Sequence, residues 1–88
     1  MTSTVQVKLY GPIKESIGKD LIELEMPASR VLKDLLKRLI RSHPEAGFET
    51  SEEMSAVYLL LVDSQVVKPD FKLTGAEEII IFPFVDGG

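Results

Sequence analysis

The 88-residue sequence has no cysteine, no tryptophan and a single histidine. Without cysteine there is no disulfide, no thiolate nucleophile and no zinc site of the sulfur-bearing kinds. With His43 alone, a multi-histidine metal centre is excluded as well, so no metal is expected. No Gly-x-x-x-x-Gly-Lys spacing is present, so the loop that cradles nucleotide phosphates is missing and no bound cofactor is expected. Long apolar runs are also scarce. The longest uncharged stretch, Met54–Val62, has nine residues, whereas crossing a bilayer takes about 20. The N-terminus, Met1–Lys8, lacks a basic region followed by an apolar stretch. No membrane association is expected, and the expected location is cytoplasmic.

What is present describes one small globular domain. Apolar residues make up 44% of the chain and charged residues 27%, enough of each for a core and a solvated surface. The net charge is −4. An acidic balance argues against nucleic acid as a partner, since such binders gain affinity by neutralising phosphates. The charge is uneven: residues 30–41 hold Arg30, Lys33, Lys37, Arg38 and Arg41 against Asp34 alone. A solvated basic helix face accounts for this cluster, and the same asymmetry can steer a partner protein.

Hydrophobic periodicity sets out the elements. Val5, Val7 and Leu9 alternate with polar residues and predict a half-buried strand, broken by Gly11-Pro12. Ile13–Ile17 fits one short helical turn closed by Gly18. Ile22, Leu24 and Met26 alternate with Glu23 and Glu25, giving a second strand that Pro27 stops. Val31, Leu32, Leu35, Leu36, Leu39 and Ile40 fall at helical spacing and predict a helix over residues 30–43, with Ser29 as N-cap and Pro44 and Gly47 as stops. Residues 45–55 read as a loop or a short helical turn. The apolar runs Val57–Val62 and Ile79–Phe82 fit strands buried on both faces, the second broken by Pro83. Between them lie a turn at Asp63-Ser64-Gln65, a short piece at Val66-Val67 and a turn at Leu73–Ala76.

One amphipathic helix across a mixed sheet of four to five strands, with the first and last strands as the central pair, is the α+β arrangement of the β-grasp, or ubiquitin-like, fold. The expected domain spans residues 1–84. Residues 85–88 form a tail ending in Gly87-Gly88, which extends about 13 Å at ~3.3 Å per residue. Two glycines without Cβ could thread a narrow channel and leave the terminal carbonyl open to attack.

The segments Pro12-Ile-Lys-Glu-Ser-Ile-Gly18, Leu73-Thr-Gly-Ala-Glu-Glu-Ile79 and Phe82-Pro-Phe-Val-Asp-Gly-Gly88 resemble the MoaD/ThiS-type sulfur carriers, ubiquitin-like proteins with a C-terminal Gly-Gly. The last segment is similar to the ending F-P-P-V-x-G-G and favours the MoaD branch, the small subunits of molybdopterin synthase. Phe84 departs from that pattern at the second proline, and Gly75-Ala76 displaces the turn glycine before the last strand. The resemblance implies that an adenylating enzyme uses ATP to activate the carboxylate of Gly88, which then becomes a thiocarboxylate. A sulfurtransferase supplies the sulfur indirectly. The resemblance further implies delivery of that sulfur in molybdenum-cofactor biosynthesis, with catalytic side chains on the large synthase subunit. Gly87 provides clearance for the tail. By family correspondence Phe82 and Val66 lie on an apolar sheet surface that meets these partners. Core packing accounts for both equally well, and periodicity does not separate the two. Lys14 is a candidate contact for an acidic partner.

Two other readings share this sequence. A ubiquitin-like modifier would join Gly88 to target lysines after the same activation, and a plain β-grasp interaction domain would be indifferent to its tail. Delivery to thiamin or to a tungsten cofactor is a variant of the first reading. His43, at a helix end before Pro44, is explained by the helix dipole and solvent. The adjacent pairs Glu52-Glu53 and Glu77-Glu78 read as solvated turns, because neighbouring side chains point different ways.

Overall fold

The computed structural model describes residues 3–75 and 77–84. Gly87, Gly88 and the tail boundary at residue 85 lie outside the described residues. Five strands form one mixed sheet: β1 (Thr4–Leu9), β2 (Leu21–Glu25), β3 (Tyr58–Val62), β4 (Gln65–Val66) and β5 (Ile79–Pro83), in the order β2-β1-β5-β3-β4. Strand β1 pairs antiparallel with β2 and parallel with β5, with Val7 opposite Ile79 and Leu9 opposite Ile81. The first and last strands are therefore neighbours inside the sheet, as the apolar character of β5 requires.

Helices α1 (Pro12–Ile17), α2 (Leu32–Ser42) and α3 (Ser51–Val57) cover one face of this sheet. The core interleaves Val5, Val7, Leu9, Ile22, Leu24, Leu60, Ile79 and Ile81 from the strands with Leu32, Leu35, Leu36 and Leu39 from α2. Both patterns follow from their elements: period two on the strands and three-to-four spacing on the helix bring the apolar residues to one side.

Several local expectations are corrected. Helix α2 begins at Leu32, and its N-cap is Val31, with no side-chain cap bond, rather than Ser29. The free amides at the start of α2 are taken by a neighbouring segment instead: Leu32 N–H donates to the Phe71 carbonyl and Lys33 N–H to the Pro69 carbonyl, both at 2.8 Å. Arg30 holds a left-handed φ of 61°, and the Ser29 hydroxyl, two residues too early to cap, accepts from Val31 N–H and donates to Asp34.

The polar stretch before β3 contains a true seven-residue helix, α3. Its N-terminus is held by a reciprocal capping box: the Thr50 hydroxyl accepts from Glu53 N–H at 3.1 Å, and the Glu53 carboxylate accepts from Thr50 N–H at 3.1 Å. Val57 closes this helix rather than opening β3. Pro83 pairs with Tyr58 as the last residue of β5 instead of breaking it before that point.

Candidate functional site

Strands β3 and β5 are buried on one face only. Along β3, Tyr58, Leu60 and Val62 are buried while Leu59 and Leu61 are half-buried; along β5, Ile79 and Ile81 are buried, Ile80 is half-buried and Phe82 is exposed. The expectation of strands buried on both faces is corrected here. The helices cover only one side of the sheet, so the alternate residues of two wholly apolar strands emerge on the other.

The pairing register assembles them into a patch, because directly opposed residues share a face. Ile80 sits between Lys8 of β1 and Leu61 of β3, Leu61 lies opposite Val66 of β4, and Phe82 lies opposite Leu59. The Phe82 ring packs on Tyr10 with centroids 5.1 Å apart and planes tilted by 51°. Phe82 is 36% and Val66 62% exposed. Both side chains belong to the outward surface, not to the core. At the β1 side of the patch the Lys8 ammonium lies 5.6 Å from the Tyr10 ring centroid. Interaction with Tyr10 holds its pKa above the ordinary lysine value, with Glu78 and Asp20 adding to the effect.

Beyond this patch β5 ends at Pro83, and Phe84 follows it. Phe84 N–H donates to the Val57 carbonyl at 3.1 Å, and the Phe84 side chain is 50% exposed. Gly11 abuts Pro83 so closely that a Cβ at position 11 would stand 2.7 Å from the proline Cγ.

Lys14 lies elsewhere, exposed on α1 and outside the register that builds the patch. His43, Glu52 and Glu77 have structural partners. His43 pairs with Glu45 at 3.3 Å, and Glu52 accepts from the Ser51 hydroxyl. Glu77 accepts from the N–H groups of Thr74 and Gly75 at 2.6 and 2.8 Å. Burial pushes the Glu77 carboxyl up, but these two donors outweigh it and leave its pKa below the usual carboxylate value. Among the described residues there is no group of three or more histidines and carboxylates arranged to hold a metal ion. Among the same residues, no helix is long and apolar enough to cross a membrane.

Leu59, Leu61 and Ile80 were hidden from sequence reasoning, because a continuous apolar run has no alternation to mark its outward residues. The usable signal was the count of layers: one main helix covers one sheet face, so the other stays open.

A family model described as the ThiS family matches residues 7–88. The molybdopterin synthase sulfur carrier subunit of Dictyostelium discoideum is 31% identical over an alignment of 91 positions, covering 100% of both chains. Among solved structures, SAMP1, a small archaeal modifier protein of Haloferax volcanii, shares the fold with a TM-score of 0.81 at 20% identity, over 98% of this chain and 100% of that one. The complex of subunits 1 and 2 of the molybdopterin-converting factor of Helicobacter pylori contains a chain that superposes with a TM-score of 0.60 at 19% identity, covering 97% of this chain and 99% of that one.

Proposed function

The chain belongs to the ThiS/MoaD family of sulfur carriers and is a homologue of molybdopterin synthase small subunits, and on that premise we propose that it carries sulfur as a thiocarboxylate on Gly88. The observation that supports this most directly is the continuity of the outward apolar face with the strand that leads to the glycines. Ile80 and Phe82 of β5 lie on that face, and five residues after Phe82 the sequence reaches Gly87-Gly88. A partner seated on Leu59, Leu61, Val66, Ile80 and Phe82 would have the reactive end of the chain within reach of its own active site. An exposed aromatic in such a patch is a natural anchor.

The chemistry needs a partner. A free carboxylate is a poor acyl electrophile, because its leaving group would be oxide. An adenylating enzyme would let a Gly88 carboxylate oxygen attack the α-phosphate of ATP, forming an acyl-adenylate and expelling pyrophosphate. Hydrosulfide, HS⁻, supplied through a sulfurtransferase, would then attack the acyl carbon and give up its proton. The bond from that carbon to the adenylate oxygen breaks, AMP leaves, and the thiocarboxylate remains. Gly87 keeps the approach free of side chains. A large synthase subunit would hold the pterin acceptor, as the paired subunits of the Helicobacter pylori factor suggest. Lys14, away from the apolar face, would serve an acidic rim of one of these partners.

The deciding experiment is fragmentation mass spectrometry of the C-terminal peptide from protein isolated from its own cells. Fragmentation is needed because replacing O by S adds the same nominal mass as oxidising Met1, Met26 or Met54 to the sulfoxide. Sulfur located on Gly88 is the expected result. An unmodified terminus would sink the proposal. The fold shared with SAMP1 favours one second reading, in which Gly88 is joined to lysines of other proteins. Gly88-derived isopeptides without any thiocarboxylate would establish that reading instead.

A further inference from the structure

The segment Tyr10–Ile13 grips the last described residues of the chain from several directions. Tyr10 N–H donates to the Ile81 carbonyl at 3.2 Å, and the Tyr10 ring lies against Phe82. Gly11 faces the Pro83 ring at a distance that excludes a Cβ. Ile13 N–H, a free amide of the first turn of α1, donates to the Tyr58 hydroxyl at 2.9 Å, and Tyr58 is the residue paired with Pro83 across the sheet. The contacts close a circuit: Gly11 to Pro83, Pro83 to Tyr58, Tyr58 to Ile13, and back along the chain to Gly11. Phe84 is tied from the far side through its N–H to the Val57 carbonyl.

Gly11 suits this place for two independent reasons. Its φ of 76° and ψ of −150° lie in a region that only glycine occupies freely. Its missing Cβ is also what allows the approach, since the nearest proline atoms would stand 2.7, 3.2 and 3.4 Å from a Cβ there. A proline ring has little freedom to give way. Gly11 also offers no side chain to cap α1. Tyr58 takes that role, which couples the start of the helix to the end of the sheet.

We infer that Gly11 is a positioning residue for the reactive terminus: its contact with Pro83 fixes the place and direction of the Pro83–Phe84 stem, after which the sequence continues to Gly88. The inference rests on the sulfur-carrier reading. Gly88 follows Phe84 by only four residues, so a shift of the stem at Pro83 is carried toward the reacting carboxylate. Misplacement of a reacting group by about 1 Å costs up to a hundredfold in rate. Docking through the apolar face does not involve Gly11, so the cost falls on turnover and not on affinity.

The test uses the full chain with the adenylating enzyme of its own cells, following ATP–pyrophosphate exchange. Gly11→Ala is expected to lower kcat at least tenfold with KM changed less than twofold. Phe82→Ala is expected to raise KM instead. A D-alanine at position 11, introduced by chemical ligation, suits a positive φ and directs its methyl away from the L-Cβ position; it is expected to keep kcat within twofold of the parent. Equal losses for the two alanines, or no loss for Gly11→Ala, would overturn the inference. Should Gly11→Ala fail to fold by circular dichroism, Pro83→Ala replaces it. That variant removes the ring while leaving position 11 unstrained, and it is expected to show the same drop in kcat. An unchanged kcat there counts against the inference. A readout without any enzyme is amide exchange at Phe84, expected to speed up at least tenfold in Gly11→Ala while Val67, bonded to the Leu60 carbonyl across the sheet, stays unchanged. Unaltered Phe84 exchange in a folded Gly11→Ala protein also overturns it. Failure of the parent chain to support exchange would count against the sulfur-carrier reading alone, since the Phe84 measurement stands by itself.

Discussion

At the scale of single residues, the chain uses carboxylates to close turns that its backbone leaves open. Glu77 gathers the N–H groups of Thr74 and Gly75, and Asp63 accepts from Glu78 N–H while donating its own N–H to the Glu78 carbonyl. These contacts hold the loop that delivers β5 into the sheet. Because the folded pKa of Glu77 lies below its ordinary value of 4.5, the stabilisation it provides is present above that value and is lost as pH falls through the depressed folded pKa. Replacing Glu77 by Gln is therefore expected to lower the urea midpoint at pH 7, with the gap from the parent narrowing once pH drops below about 4.5. A gap that is the same at pH 7 and pH 3 would assign the effect to packing instead of charge.

At the scale of elements, each helix solves its free N-terminal amides differently. Helix α3 does so within its own sequence, through Thr50 and Glu53. Helix α2 relies on the carbonyls of Pro69 and Phe71, and α1 on the Tyr58 hydroxyl. The Thr-x-x-Glu spacing of the first case is a local helix-start signal that the reading of residues 45–55 as a loop or a short helical turn passes over; the other two have no local signal, because their partners lie far along the chain. Thr50→Ala is expected to cost about 0.5–2 kcal/mol, read as a lower urea midpoint with an unchanged slope. Serine at the same position should keep nearly all of the stability, since its hydroxyl also accepts from Glu53 N–H. The turn joining β3 to β4 is similarly local. Asp63 and Ser64 take φ values of 51° and 70°, the two left-handed positions of the tight hairpin turns whose twist matches the flanking strands.

At the scale of the whole molecule, one helix layer on one sheet face gives a single core and a single open face. Leu36 is 1% exposed and sits among the α2 residues that fill the space over the strands. Leu36→Ala is expected to cost about 2–5 kcal/mol, a large share of the roughly 5–15 kcal/mol that holds a domain together. A midpoint unchanged by that substitution would mean that α2 contributes little to the fold. The open face carries the apolar side chains of Leu59, Leu61, Val66, Ile80 and Phe82, and the basic residues of α2 lie on the opposite side of the sheet, with the helices. Arg38 reaches Glu25 at 4.0 Å and Lys37 reaches Asp34 at 3.6 Å, both exposed pairs of small energetic weight.

Period two in β1 and β2, helical spacing in α2 and the punctuation by Gly11-Pro12, Pro27 and Pro44 determined the order of the strands and the main helix, from which the β-grasp arrangement follows, while α3 was not read from them. These are short-range properties, and the chain states them residue by residue. The family resemblance of the ending Phe82–Gly88 was likewise legible in the residues themselves. Only the tertiary structure decided which apolar residues face outward, since two uninterrupted apolar strands are silent about sidedness until a helix covers one face and the register aligns the other. It also decided that Phe82 and Val66 belong to the surface, and that Gly11 meets Pro83 more than 70 positions along the chain. Contacts between such distant positions arise from packing, for which local sequence has no term.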